Sequence, residues 1–541
     1  MVVLETKLSL IKKLVGEDFD IINTLFDFGY EAEIDGENLK IDISPERIDL
    51  LSTRILSKNI KCWMGKSESF NIESKDSNYE IFVDDSVKKI RPFIIASAIK
   101  NCEINDLESL INLQEKLAGR YGRNRKKASI GLYNLDLIKF PVHYKALEPE
   151  KIKFVPLYFN EELNGREILE KHPKGIEYGH LIKSFSKYPA LIDSNGKFLS
   201  MPPIINSNDI GKIDEKTKNV FVEVTGFDLK IMDQILKVIS LELGGEIYKV
   251  KIHYKNKTEE FPIFSKKIFY LTKKYVNKNL GLNLSENDIL NNLKKTGFEC
   301  EIENEKIKVV VPSIRFDVIH EFDLLDEIAR AYNFNKFELK QTKVSQTNGS
   351  LTKKTILKEK IAEIFVGLGF FEVSPFAITN EKDQFDKMNL ERGKYVKIKN
   401  PSSENFTMIR VWILPELLKV LKSNIQLKKP IKIFEVGDVL EINEKKWNKT
   451  EQKTHLCFLI CGEKITYTNG RQCLEALLDY FKIKYEFKEI EHKSFIKGRV
   501  AGVFVNNEQI GFVGELSPNV LYNFEIYYPV TACEINICKL F

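Results

Sequence analysis

Val309, Val310 and Val311 run directly into Pro312 and Ser313, and this junction constrains the chain more than any other stretch. β-Branched residues favour a strand, and the Pro-Ser pair ends it. Beyond the break, Phe322, Leu325, Ile328 and Ala329 recur at helical spacing, which predicts an amphipathic helix over Ile319 to Tyr332. Asp323, Asp326 and Glu327 stand at i, i+3 and i+4, so they share one face, and Asp317 lies in the preceding turn, where it can fold back toward them. Like charges at that spacing repel unless a cation screens them, and a hard, oxygen-liganded ion such as Mg2+ would do so. The other reading of the same residues is a solvated acidic helix start, favoured by the helix dipole.

A chain of 541 residues is too long for one hydrophobic core, and about three or four domains are expected. With 43% hydrophobic and 29% charged residues it has the composition of a globular protein, and a formal charge of +5 does not discourage contact with a polyanion. The 8 cysteines contain no C-x-x-C pair, so neither a zinc knuckle nor a disulfide framework is expected, and the compartment reads as reducing. No apolar run is long enough to span a bilayer and no signal segment opens the chain, so a cytosolic protein without membrane attachment is expected.

Taken in order, the chain opens with a small α/β unit: a helix over Leu8 to Leu14, a second with an acidic start over Glu17 to Phe28, and a strand over Leu39 to Ile43. Ser44 and Pro45 are placed to cap and start a further helix. From about Ile90, apolar strands alternate with charged helices. Arg120 to Lys127, RYGRNRKK, is the densest basic cluster, able to grip phosphates or to form a solvated turn. His180 sits in a Tyr-Gly-His-Leu segment expected as a strand, Ser200 and Asn206 flank Pro202-Pro203 as turn polars, and the polar run Thr342 to Leu351 is expected as a linker.

The run Pro312 to Tyr332, PSIRFDVIHEFDLLDEIARAY, resembles the B5 module of phenylalanyl-tRNA synthetase beta subunits. The resemblance implies that Asp317, Asp323, Asp326 and Glu327 bind Mg2+ and that the module is winged-helix-like. Ser129-Ile-Gly-Leu-Tyr-Asn, Tyr188-Pro-Ala-Leu-Ile-Asp, Leu199-Ser-Met-Pro-Pro-Ile-Ile-Asn and Val222-Glu-Val-Thr-Gly resemble the B3/B4 domain of the short, archaeal and eukaryotic type. In that domain a mischarged Tyr-tRNA(Phe) is hydrolysed. The resemblance implies that Leu191, Ser200 and Asn206 line the editing pocket, that Arg125 or Lys126 faces the tRNA end, and that His180 lies near. Recognition of one phenolic hydroxyl suits a buried Ser or Asn, and ester hydrolysis needs mainly a positioned water and polarising donors.

Val396 to Leu418, Ile431 to Val439 and Gly511 to Pro518 resemble the catalytic-like, class II synthetase module of the same family, built on an antiparallel sheet. A working class II site neutralises ATP phosphates with arginines. Here the last arginine is Arg499, no G-x-G-x-G-x-x-R occurs, and Lys432 stands where a bidentate Arg is needed. The module is therefore expected to be silent in adenylation, with Arg410 structural. The whole implies a multidomain α/β and α+β chain: an N-terminal domain (1–80), a B3/B4-like domain (81–264), a B5-like domain (265–341) and an inactive class II module (342–541). The implied partners are tRNA(Phe) and an alpha subunit, in an alpha2beta2 heterotetramer. The competing readings are a Mg2+-dependent hydrolase and a non-catalytic RNA-binding scaffold.

Overall fold

The computed structural model describes residues 2–16, 19–67, 70, 72–339 and 349–540. The acidic start at Glu17 and the expected linker at 342–348 lie outside the described residues. The chain divides into two compact units, Met1–Gln341 and Thr342–Phe541.

In the first unit, alternation along two strands explains the layering. Phe93–Lys100 directs Ile95 and Ile99 into one apolar core and Ile94, Ala96 and Ala98 into another. Its neighbour Asn219–Gly226 does the same with Val220, Val222 and Val224 on one face and Phe221 on the other. A strand covered on both faces reads as a near-continuous apolar run, which is the composition of both. They sit in a 10-stranded mixed sheet. Its order is Ile205–Asn206, Phe198–Met201, Tyr188–Ile192, Val142–Leu147, Glu80–Val83, Glu246–Tyr254, Phe93–Lys100, Asn219–Gly226 and Ala128–Asn134, with Lys257–Phe261 paired to Glu246–Tyr254. The helix Leu229–Glu242 buries Met232, Ile235, Leu236 and Ile239 against the first core. That core runs from Leu4 to Ala331, so both ends of the unit share it.

Two three-stranded sheets in this unit repeat one plan. Val2–Lys7, Ala32–Asp35 and Asn38–Ile43 pair with the last strand in the centre, and Lys267–Leu271, Glu299–Glu303 and Lys306–Val311 pair in the same order. Each has two helices between its first and second strands: Leu8–Val15 and Ile21–Phe28 in one, Lys273–Leu280 and Glu286–Lys295 in the other. Each is followed by Arg-x-Asp and a further helix, Thr53–Trp63 or Asp323–Tyr332.

Three local expectations are corrected. Ser44 and Pro45 lie in a turn, and Ser52 caps the next helix by accepting from the Ile55 N–H at 3.1 Å. The Tyr178–Leu181 segment ends the helix Pro173–Tyr178 and continues as a short 3-10 turn, because Pro173 supplies a helical start that outweighs the apolar run behind it. The acidic helix begins at Asp323, four residues later than expected, and Phe322 is exposed.

The second unit is built on a 7-stranded sheet: Phe371–Glu372, Ile431–Ile442, Thr450–Cys461, Val530–Asn536, Glu508–Leu516, Phe495–Val505 and Glu486–Glu489. Every pairing is antiparallel except that of Phe371–Glu372. Helices Leu414–Ser423 and Tyr467–Tyr480 cover opposite faces, each with its own apolar core. Among the described residues no helix is long and apolar enough to cross a membrane.

Candidate functional site

A cavity of about 330 Å³ opens beside the edge of the 10-stranded sheet. Ser200 and Asn206 line it from the paired strands Phe198–Met201 and Ile205–Asn206, where they are direct cross-strand partners. Arg125, His172, Lys174, Lys212, Glu115 and Glu223 are among its polar lining. The lining therefore carries lysines and two carboxylates, the half-exposed Glu115 and the buried Glu223.

Glu223 was not singled out from sequence. It points to the second face of Asn219–Gly226, between Phe221 and Thr225, and only 2% of it is exposed. Its Oε1 accepts from the Tyr133 hydroxyl at 3.1 Å, while Oε2 is buried without a partner. The Ser200 hydroxyl lies 2.8 Å from the same Tyr133 oxygen, which can accept its proton, so the three side chains form one connected set. Burial pushes the Glu223 carboxyl up to about 7, against the pull of the Tyr133 hydrogen bond and the charge of Arg91. Arg91 is itself buried, fixed to Thr225 Oγ1 at 2.9 Å and Ser129 Oγ at 3.0 Å. Gly131 makes room for this set, since a Cβ there would stand 2.3 Å from the Tyr133 hydroxyl and 2.6 Å from Glu223 Oε1. The signal in the sequence was a single acid in the otherwise apolar run Val-Phe-Val-Glu-Val.

Asn206 donates to the Leu132 carbonyl at 3.0 Å, which fixes its amide against the neighbouring sheet edge. Arg125 lies over the Tyr178 ring at 4.2 Å and donates to the Pro203 and Ile204 carbonyls at 3.2 and 2.9 Å and to Glu115 at 3.0 Å. It clamps the Pro202-Pro203 turn, and the exposed Lys126 and Lys212 are the freer cations. Leu191 pairs with Ser200 across the sheet but packs in the apolar core and does not line the cavity. His180 is exposed, with Nδ1 near the Glu177 carbonyl, and does not line it either. The histidine that does is His172, whose Nδ1 accepts from the Lys174 N–H at 3.1 Å and whose Nε2 faces the Leu157 carbonyl at 3.1 Å. Burial lowers its pKa, and with both nitrogens engaged it holds the cavity wall.

The four carboxylates of the Asp317 to Glu327 stretch do not converge. Arg315 forks onto Asp317 with Nε at 3.0 Å and Nη2 at 2.7 Å, and the same guanidinium reaches Glu327 at 2.9 Å. Asp326 is paired with Arg330 at 2.8 Å on the exposed side, and Asp323 Oδ2 accepts the Ile319 and His320 N–H groups at 2.8 Å each. Burial raises the Asp317 and Glu327 carboxyls, but Arg315, with Arg47 behind it, outweighs burial and holds Asp317 down at about 2 and Glu327 below its usual range. Among the described residues no group of His, Cys, Asp or Glu is arranged to hold a metal ion. As placed, these residues do not fit a Mg2+ shell, because the screening cation the spacing called for is Arg315, two positions before Asp317. The cluster continues into the N-terminal repeat, where Arg47 forks onto Asp49 at 3.0 and 2.9 Å.

In the second unit Arg410 is 3% exposed and donates to both Glu435 oxygens at 2.9 and 2.5 Å and to the Asp438 carbonyl at 3.0 Å. Lys432 donates to the Leu368 carbonyl at 3.1 Å. Arg499 pairs with Glu515 at 2.7 Å. These cations are already spent on the protein itself.

Residues 269–334 match the tRNA synthetase B5 domain and residues 339–537 the phenylalanyl tRNA synthetase beta chain CLM domain. The phenylalanine–tRNA ligase beta subunit of Thermococcus onnurineus is 36% identical over 98% of this chain and 97% of its own length. That of Pyrococcus abyssi is 38% identical over 92% and 90%, and that of Methanocaldococcus jannaschii 36% identical over 93% of each. A crystal structure of an N-terminal fragment of the phenylalanyl-tRNA synthetase beta subunit from Pyrococcus horikoshii superposes with a TM-score of 0.58 at 36% identity, covering 61% of this chain and 99% of the fragment. With such identity along nearly its whole length, the chain belongs to the phenylalanine–tRNA ligase beta-subunit family.

Proposed function

We propose that the cavity at Glu223 hydrolyses Tyr-tRNA(Phe) within a phenylalanine–tRNA ligase whose alpha subunit performs the charging. The buried, unpartnered Glu223 Oε2 carries this reading. A phenyl ring offers it nothing, whereas a tyrosyl hydroxyl supplies the missing donor, and a site built to bond a hydroxyl discriminates strongly against the analogue lacking it. Tyr133 holds the carboxylate and Ser200 holds Tyr133, Asn206 bonds the Leu132 carbonyl, and Lys174 and Lys212 of the lining, with the exposed Lys126, suit the phosphates of an entering tRNA end. No nucleophile-base pair lies among the lining residues described above, so the ester is cleaved by a positioned water, aided by polar groups of the wall.

The second unit supports the complementary half of the reading. Its antiparallel sheet is class II synthetase-like, and Arg410 and Lys432 are engaged by groups of the chain itself, while Arg392, Arg471 and Arg499 each pair with a carboxylate. ATP and Mg2+ chemistry then belong to the alpha chain, in a cytosolic alpha2beta2 assembly that binds tRNA(Phe). A Mg2+-dependent hydrolase loses its basis once the carboxylates are paired with arginines.

In the holoenzyme, Ser200→Ala, Asn206→Ala and Glu223→Gln are each expected to slow deacylation of Tyr-tRNA(Phe) at least tenfold while charging with phenylalanine is retained. Unchanged deacylation in all three would show that the pocket is wrongly assigned. Charging of tRNA by the purified chain alone would overturn the silent module.

A further inference from the structure

Trp447 is 95% exposed. The other two tryptophans, Trp63 and Trp412, are each 8% exposed, so this indole is the exception in its own chain. It stands at the tip of the longest hairpin of the second unit, formed by Ile431–Ile442 and Thr450–Cys461 in register from Ile431↔Cys461 to Ile442↔Thr450. The tip reads Asn443-Glu444-Lys445-Lys446-Trp447-Asn448-Lys449, three lysines against one glutamate. Every residue from 444 to 449 is exposed.

The tip is ordered by its own bonds. The Asn443 N–H donates to the Lys449 carbonyl at 2.9 Å, Lys446 N–H to the Asn443 carbonyl at 3.1 Å, and Lys449 N–H to the Lys446 carbonyl at 3.0 Å. The Asn443 and Asn448 side chains accept from the Lys445 and Thr450 N–H groups at 3.1 and 3.2 Å, and the Asn443 amide donates to Glu451 at 2.9 Å. Lys449 takes a φ of +57°, closing the loop in a left-handed turn. A tryptophan held in solvent by a built loop leaves a large, rigid aromatic surface unsatisfied, and its recurrent use is as a contact.

The surroundings select the kind of contact. An aromatic anchor of a protein–protein interface sits amid other apolar groups that exclude water. Here each neighbour on the loop is Asn, Lys or Glu, and among the described residues no ring or cation covers either face of the indole. Lys446 and Lys449 have only long, solvent-exposed pairings, at 3.9 Å to Glu451 and 3.8 Å to Glu444, which phosphates would displace at little cost. Lys445 has no carboxylate partner among the described residues. An open aromatic face between lysines that are unpaired or only loosely paired is the composition that binds unpaired nucleotides, the ring stacking on a base and the lysines meeting the phosphates.

We propose that this hairpin tip is an RNA contact, with Trp447 stacking on an unpaired base and Lys445 and Lys446 meeting the adjoining phosphates. It lies in the second unit and does not depend on the cavity at Glu223.

The test uses the full chain, with a tRNA(Phe) transcript and a short oligouridylate as probes. Trp447 is the one solvent-facing tryptophan among the described residues, so RNA is expected to quench the red edge of the emission, and Trp447→Phe is expected to abolish that quenching while keeping most of the affinity. Trp447→Ala is expected to weaken binding of either RNA about tenfold. Lys445→Glu with Lys446→Glu is expected to weaken it further and to flatten its salt dependence. The proposal is overturned if RNA leaves the emission unchanged, or if Trp447→Ala binds both probes as the parent does. Blue-shifted emission on mixing with an RNA-free partner chain, with no response to RNA, would assign the tip to a protein instead.

Discussion

Replacing Glu223 with glutamine keeps the shape of the cavity floor and removes its buried ionisable group. In the fold its carboxyl is pushed up to about 7, from an ordinary 4.5. A raised carboxyl means that the folded state holds its proton more tightly than the unfolded chain. Its contribution is therefore fully present below pH 4.5 and is lost as the pH rises through 7. Integrated from pH 5 to pH 8, that difference costs the folded state about 2.5 kcal/mol. Glu223→Gln does not titrate, so the stability gap between parent and variant is expected to shift toward the variant by about that amount across this range. Urea unfolding of the two proteins at pH 5, 6, 7 and 8 measures it, and the contributions of all other groups cancel in the difference. A ligand that donates a phenolic hydroxyl to Oε2 favours the ionised form, so affinity for a tyrosyl ligand is expected to rise as the pH passes 7, and that for a phenylalanyl ligand is not. A gap that stays flat from pH 5 to 8 would refute both the burial account of the shift and the use of Oε2 as the acceptor.

Two further expectations concern the buried charge cluster. Arg315→Met leaves Asp317 and Glu327 buried without their main counter-charge and is expected to cost about 3–5 kcal/mol in denaturant unfolding of the first unit, whereas a loss under 1 kcal/mol would mean that Arg47 and Arg330 suffice. Because guanidinium groups supply the screening charge, chelation with EDTA is expected to leave the melting temperature of the chain alone unchanged. A fall of several degrees, restored by Mg2+, would return these carboxylates to the role their spacing first suggested.

The elements were largely legible in the residues. The strand ending at Val311, the helix beginning at Leu8, the strand Asn38–Ile43 and the amphipathic helix ending at Tyr332 all follow apolar periodicity and local punctuation. What failed was end-point detail governed by nearby competition: Ser52 caps where Ser44 was expected to, and Asp323 starts its helix because its carboxylate is taken up by the Ile319 and His320 N–H groups. The internal repeat also went unread, since its two copies share a topology and an Arg-x-Asp pair but little sequence between them.

Residue types and spacings by themselves determined the family resemblance and the crowding of four acids around one helix start, whereas Ser200 and Asn206, read as turn polars, stand on paired strands on either side of the Pro202-Pro203 turn. Only the tertiary structure decided what those acids face. Spacing along a helix says which side chains share a side, but not which cation folds in from outside it, and Arg315 enters from the preceding turn to meet Asp317 and Glu327. The same holds for Glu223, whose neighbours in sequence are apolar and whose partners, Tyr133 and Ser200, come from other strands. Burial and pairing are properties of the assembled sheet, and they placed an unremarked glutamate in the lining of the cavity with one carboxylate oxygen unpartnered.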